Sequence, residues 1–243
     1  ENIEGETRGS VVFDVNNDGY LDIFAVNWGM QNEMYINDGS GFFTREYRGA
    51  EGVVEDTESI GTQGVTVSDI DGDGDYEIYI SKRDTENELY LNENGYFQNV
   101  AAARGVAVPN RSDGATFADY DNDGDMDLFV ANTRIPNTLY KIYLYIFEND
   151  GSGNFTERTS DYNLTMEGFT PLLFDADNDG NLDLYRLSNN DYNRTGVAIL
   201  NLGDGQGGLQ SAGYNGATII GADARSVVSH DFDSDGDLDL YVT

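Results

Sequence analysis

Cysteine is absent from the 243 residues. That removes disulfides, thiol nucleophiles, Cys-ligated zinc and iron–sulfur clusters together. There are three prolines, one histidine and one tryptophan. Basic residues are scarce: 13 Lys plus Arg stand against 45 Asp plus Glu, for a net charge of −32. Such a balance argues against nucleic acid as a partner, because nucleic acids select basic faces. It argues equally against docking on anionic lipid. No apolar run approaches the ~18 residues a membrane helix needs, so direct membrane insertion is not expected. The chain begins at Glu1, and any signal peptide is read as already removed.

What is present is hydrophobic content of 39% and aromatic content of 12%, enough for a packed core. The acids are not scattered. "DYDNDGDMDLFVAN" from Asp119 is one of five related stretches. The others are "DVNNDGYLDIFAVN" from Asp14, "DIDGDGDYEIYISK" from Asp69, "DADNDGNLDLYRLS" from Asp175 and "DFDSDGDLDLYVT" from Asp231. Their first residues are separated by 55, 50, 56 and 56 positions. An even internal period of this size marks a repeat architecture.

Each acidic stretch is preceded by a short β-like run such as "SVVF", "GVTVS" or "PLLF". It leads into an alternating run such as "DIFAV", "EIYI" or "DLFVA". A hairpin signal follows in most copies, as in "NELYLNENGYFQNV". The fourth copy, "VAILNLGDGQGGLQSAG", is a degraded version. "NVAAARGV" over 99–106 reads as one helical turn between units. The fold class expected is all-β: a β-propeller of four-stranded blades, with an acidic loop between the first two strands of each blade. The blades are placed at about 10–48, 63–99, 114–160 and 168–212, with half a blade at 224–243, in one domain. A β-sandwich with acidic turns is the alternative, but it has no reason to repeat at this period.

Within each loop, counted from its first Asp, side-chain oxygens fall at positions 1, 3, 5 and 9, and Gly holds position 6. The glycine permits the reversal that turns the position 7 carbonyl inward. Hard oxygen ligands on a glycine-enabled bend are the chemistry of calcium binding. An EF-hand is excluded. Its acid at position 12 is replaced by Ala25, Ile80, Val130, Arg186 and Val242, and a strand follows where a helix should. Zinc and copper prefer softer ligands, and magnesium a tighter octahedron.

The candidate ligand sets are therefore as follows. The first loop offers Asp14, Asn16, Asp18, Tyr20 and Asp22, and the second Asp69, Asp71, Asp73, Asp75 and Glu77. The third offers Asp119, Asp121, Asp123, Asp125 and Asp127. The fourth offers Asp175, Asp177, Asp179, Asn181 and Asp183, and the last Asp231, Asp233, Asp235, Asp237 and Asp239. Up to five Ca²⁺ ions are expected. Asn16 replaces an acid, which ranks the first site weakest. Full occupancy would bring the charge from −32 to about −22.

These residues resemble the FG-GAP/VCBS-type calcium-loop repeats that form the propeller of integrin α chains and many secreted lectin-like and adhesion proteins. The likeness is strongest to the cartilage acidic protein and ASPIC/UnbV-associated variant. "FADYDNDGDMDLFVANTRIPNTLY" and "NELYLNENGYFQNVAAARGV" carry it. The resemblance implies a propeller, bound calcium and an extracellular setting, and no single activity. Such propellers usually have seven blades, whereas four and a half are counted here. Three readings follow: a piece of a longer chain, a small five-bladed ring with an incomplete last blade, or an open edge completed by another copy through head-to-tail strand addition.

Other features give less. His230 stands beside the first acid of the last loop, with no nucleophile or pocket evident. "GDGQGG" over 203–208 matches G-x-G-x-x-G, but no helix follows, so it reads as a hairpin turn. Trp28, at the end of a strand, is a candidate ligand contact. Sequons begin at Asn110, Asn154, Asn163 and Asn193, the candidate glycosylation sites. The functional expectation is an extracellular module binding protein or glycan without catalysis. The alternatives are a subunit of a fibrous or surface assembly, and a polysaccharide lyase or hydrolase. The last would need a cluster of Tyr, Arg, Lys or His that 13 basic residues and one His make hard to assemble.

Overall fold

The structure, a computed structural model, describes residues 6–46, 61–109, 111–132, 143–162, 164, 171–190, 195–213 and 226–242. They form an all-β chain. Among them there is no α-helix, and one 3₁₀ turn covers Thr159–Asp161. No helix is long and apolar enough to cross a membrane.

Four sheets each have four antiparallel strands in sequential order. Sheet I contains β1 (Glu6–Phe13), β2 (Asp22–Trp28), β3 (Glu33–Asn37) and β4 (Phe43–Glu46). Sheet II contains β5 (Thr62–Ser68), β6 (Glu77–Lys82), β7 (Glu88–Glu93) and β8 (Tyr96–Asn99). Sheet III contains β9 (Ser112–Ala118), β10 (Asp127–Asn132), β11 (Tyr143–Asn149) and β12 (Phe155–Glu157). Sheet IV contains β13 (Pro171–Phe174), β14 (Asp183–Asn190), β15 (Thr195–Gly203) and β16 (Leu209–Gly213). Sheet V pairs β17 (Val227–His230) with β18 (Asp239–Val242).

Turn chemistry explains the meanders. Asn94 and Gly95 have φ of 54° and 87°, the left-handed pair of a two-residue hairpin loop joining β7 to β8. The longer turns of sheets I, III and IV begin with Asp38, Asp150 and Asp204. Each Asp carboxylate accepts the backbone N–H two residues on, from Ser40, Ser152 or Gln206, at 2.8–3.0 Å. "GDGQGG" is this turn in sheet IV. "NVAAARGV" makes a single turn, closed by Arg104 N–H donating to the Val100 carbonyl at 2.9 Å.

The second strands of sheets II, III and IV send their side chains alternately to the two neighbouring sheets. β6 and β10 are buried along their whole length. Ile78 and Ile80 pack with Phe13, Phe24 and Val26 of sheet I. Tyr79 points the other way, towards Leu128 and Val130 of sheet III. Phe129 and Ile146 then meet Leu184 of sheet IV, and Tyr185 and Leu187 meet Val227 of sheet V. The core is thus four clusters, one between each consecutive pair of sheets. Each fully buried side chain of this size contributes about 2 kcal/mol. The first strands touch in series: β1 to β5, β5 to β9, β9 to β13, β13 to β17. Among the described residues no comparable contact joins β17 back to β1, so no closed ring is seen.

Candidate metal centres

Every acidic loop connects the first strand of a sheet to the second. All five acidic loops therefore lie at one end of the strands. Inside each loop, position 1 organises the backbone: Gly19, Gly74, Gly124, Gly180 and Gly236 donate their N–H to Asp14, Asp69, Asp119, Asp175 and Asp231 at 2.7–3.1 Å. Those glycines have φ between 89° and 99°. A side chain at position 6 would strain this backbone.

Position 9 is a buried bridge. Asp22, Glu77, Asp127 and Asp183 are fully buried. One oxygen of each accepts the N–H of position 2: Val15 at 3.0 Å, Ile70 at 3.0 Å, Tyr120 at 3.4 Å and Ala176 at 2.8 Å. The other accepts an N–H from the third strand: Asn37 at 2.8 Å, Asn92 at 3.4 Å, Asn149 at 2.8 Å and Gly203 at 2.8 Å. One carboxylate therefore ties the loop to the second and third strands. Asp239, in sheet V, accepts Phe232 N–H at 3.1 Å and is less buried.

Among the described residues no basic side chain pairs with these carboxylates. Burial pushes Glu77 up to about 8 and Asp127 up to about 7, against the backbone N–H groups that favour the charged forms. Asp22 and Asp183 are raised for the same reason. Asp71 and Asp121, at position 3, are raised by burial and then by the acid at position 5.

In four loops the acids at positions 1, 3 and 9 bring one oxygen each to within 4.8 Å of one another. The triads are Asp69, Asp71 and Glu77; Asp119, Asp121 and Asp127; Asp175, Asp177 and Asp183; and Asp231, Asp233 and Asp239. Three converging carboxylates suit a hard divalent cation. The first loop has only two acids at these positions, because Asn16 holds position 3.

Position 5 lies outside the triads. The carboxylates of Asp18, Asp73, Asp123, Asp179 and Asp235 accept the N–H of Tyr20, Asp75, Asp125, Asn181 and Asp237 at 2.8–3.0 Å. They shape the bend that carries position 7.

The sequence reading missed a second function of these loops. Position 4 is left-handed in all five: Asn17, Gly72, Asn122, Asn178 and Ser234 have φ from 57° to 74°. Three of these asparagines reach position 7 of the next loop. Asn17 donates to Asp75, Asn122 to Asn181 at 3.0 Å, and Asn178 to Asp237 at 2.7 Å. Third-strand asparagines reach back: Asn92 Nδ2 donates to the Val15 carbonyl at 3.2 Å, and Asn149 Nδ2 to the Ile70 carbonyl at 2.7 Å. The signal was present, since position 4 carries only Asn, Gly and Ser, the residues that tolerate such a backbone or bond locally.

The remaining candidates lie elsewhere. Trp28 is half-buried at the other end of the strands, with Arg8 and Arg83 against its ring. His230 is exposed and packs edge-on against Phe232. Asn154 is exposed in a turn, its side-chain amide donating to Asp150. Asn110, Asn163 and Asn193 lie outside the described residues.

Comparison with curated proteins gives no match. Comparison with family profiles matches the FG-GAP-like repeat over residues 14–80, 69–130 and 175–242, more than half of the chain. The matched segments contain all five acidic loops, each with the strand that follows it, and the chain therefore belongs to the FG-GAP-like repeat family.

Proposed function

We propose that this chain is a calcium-stabilised β-propeller, or part of one, that serves as an extracellular, non-catalytic module for binding protein or glycan. The observation that carries the reading is the recurrence of one acid triad, at positions 1, 3 and 9, in four loops. Chance acidic turns have no reason to repeat the same three positions. Membership of the FG-GAP-like repeat family supports an adhesion or interaction role.

Calcium would be held by the triads, with position 5 carboxylates and the position 7 carbonyls of Tyr20, Asp75, Asp125, Asn181 and Asp237 completing the shell. What the ion supplies is charge neutralisation where the strands converge. The chain's own part is to bring three acids together and to satisfy the buried position 9 acid with backbone N–H groups. The face-to-face series of sheets, with first strands adjacent, supports a radial arrangement. Calcium sites of extracellular modules bind on the order of 10⁻⁴–10⁻³ M, and the loops of this chain are read as sites of that class. That favours a calcium-rich exterior. It fits as well a chain whose charge of −32 needs neutralising.

The test is chelation. In 1–2 mM calcium, roughly the upper part of that affinity range, the melting temperature should stand well above its value in EDTA. Identical melting curves in both buffers would sink the metal reading.

A further inference from the structure

Position 8 of every acidic loop is apolar: Leu21, Tyr76, Met126, Leu182 and Leu238. It immediately precedes the position 9 acid. Yet Leu21, Tyr76, Met126 and Leu238 are exposed, at 58%, 41%, 40% and 43%. The Tyr76 ring leans on that of Phe13, with centres 6.2 Å apart, and is still open to solvent. The fold uses the backbone of this position: the Leu21 carbonyl accepts the Asn37 amide at 3.2 Å, and the Met126 carbonyl that of Asn149 at 3.1 Å. Phe42 and Tyr96, at the hairpin turns of sheets I and II, are exposed at the same end. One apolar residue on a surface needs no account, but the same position in every repeat does.

The loops stand in a row. The hydrogen bonds from Asn17 to Asp75, Asn122 to Asn181 and Asn178 to Asp237 place position 7 of one loop against position 4 of the loop before it. Position 8 comes next, so the apolar residues are spaced along that row. Every connection at this end, five acidic loops and four hairpin turns, lies within the described residues. These connections hold twenty Asp and no Lys, Arg or His. Arg104 also reaches this end, donating to the Ser152 carbonyl at 3.0 Å and to the Asn154 side chain. Five divalent ions would neutralise half of the aspartate charge. Asp75, Asp125 and Asp237 at position 7, and Asp38 and Asp150 in the turns, are carboxylates outside the triads.

We propose that the acidic-loop end is a docking surface for a basic, apolar-containing segment of another protein. Its Lys or Arg side chains lie against the aspartates outside the triads, and its apolar side chains against the position 8 residues. The charge selects the occupant: this face repels acidic segments, anionic lipid and the same face of a second copy. The apolar residues distinguish docking from plain counter-ion attraction, because burying one such side chain is worth roughly tenfold or more in affinity. The inference rests on the interaction-module reading and deepens it, naming a face and a class of partner.

Calorimetric titration of the full chain in calcium, at fixed ionic strength, tests it with three peptides of equal length. One alternates Lys with Leu and Phe, one Lys with Ser, and one Glu with Leu and Phe. The first should bind saturably and about tenfold more tightly than the second, and the third should not bind. Leu21→Gln combined with Tyr76→Gln should weaken the first peptide about tenfold and leave the second unchanged. Its melting temperature should still rise with calcium, because these side chains are not metal ligands. Met126→Gln combined with Leu238→Gln serves if that variant fails to fold. Equal binding of the two Lys peptides, unchanged affinity in both variants, or binding to phosphatidylserine vesicles in place of the peptides overturns the proposal. A calcium-raised melting temperature with no peptide binding would sink this inference and leave the calcium reading standing. Tenfold discrimination between the Lys peptides, in a protein whose melting calcium does not move, would do the reverse.

Discussion

Asn178 donates its side-chain amide to Asp237 at 2.7 Å, tying position 4 of the fourth acidic loop to position 7 of the fifth. Asn17 and Asp75, and Asn122 and Asn181, repeat the contact between other successive loops. The acidic loops therefore do more than gather carboxylates. Three of them also latch onto the next sheet, at the end of the strands where negative charge is densest.

The latch and the backbone can be separated at Asn178. Its φ is 60°, a conformation that costs an ordinary L residue roughly 1–2 kcal/mol. Asn178→Gly removes the hydrogen bond but keeps the backbone relaxed. Asn178→Ala removes both. The glycine variant should lose about 0.5–1 kcal/mol, the net value of such a bond. The alanine variant should lose about 1 kcal/mol more. Denaturant unfolding in calcium measures this, and equal stability of the two variants would show that the backbone strain is not there.

Gly72 is the break in the series. It is left-handed like the others, with φ of 74°, but has no side chain to reach Asp125 of the third loop. Asp125 is left among Asp123, Asp119 and Asp150, which raise its proton affinity after burial. A Cβ at Gly72 meets nothing within 4 Å, so there is room. Gly72→Asn should supply the missing donor and stabilise the protein by about 0.5–1 kcal/mol. A fall in stability would mean that the latch does not form there.

Much of this was legible before the fold was known. The period, the alternating strands and the acids at positions 1, 3 and 9 are local patterns, and local patterns survive in a sequence. The latches were not legible, because Asn178 and Asp237 are 59 positions apart and neither looks unusual alone. The degraded fourth copy has a physical reason too. Gly203 stands where Asn149 stands in sheet III, and a Cβ there would lie 2.1 Å from the Leu182 carbonyl oxygen. Tyr120, at position 2 of the third loop, is instead held by Tyr162, whose hydroxyl lies 2.8 Å away and itself donates to the Gly207 carbonyl. The packing of Arg83 on Trp28 was equally hidden, since the two residues belong to different repeats.

Asp127 separates the scaffolding role of position 9 from its metal role. Its two oxygens accept the N–H groups of Tyr120 and Asn149. Asp127→Ala leaves both donors buried without partners, a loss of about 3 kcal/mol. Asp127→Asn removes the buried charge and keeps one acceptor, but its amide N–H2 faces the second backbone N–H, so in EDTA its stability should fall between that of the parent and that of Asp127→Ala. Its calcium-induced rise in melting temperature should shrink by the share of one site. A full calcium response in Asp127→Asn would exclude this carboxylate as a ligand.

The buried acids also set a pH dependence of opposite sign to the usual one. Most native carboxylates have lowered proton affinity, and their proteins lose stability as pH falls. Glu77 and Asp127 are pushed up to about 8 and about 7 by burial, whereas in the unfolded chain they titrate near 4. Between those limits the folded state binds more protons than the unfolded one. Stability therefore falls as pH rises from about 4 to about 8. Without metal, the protein should melt higher at pH 5.5 than at pH 8. Calcium competes with those protons, so its stabilising effect should grow over the same window. Melting curves at the two pH values, with and without calcium, give both signs at once. A metal-free protein that is more stable at pH 8 would show that the position 9 carboxylates already have a cation partner within the chain.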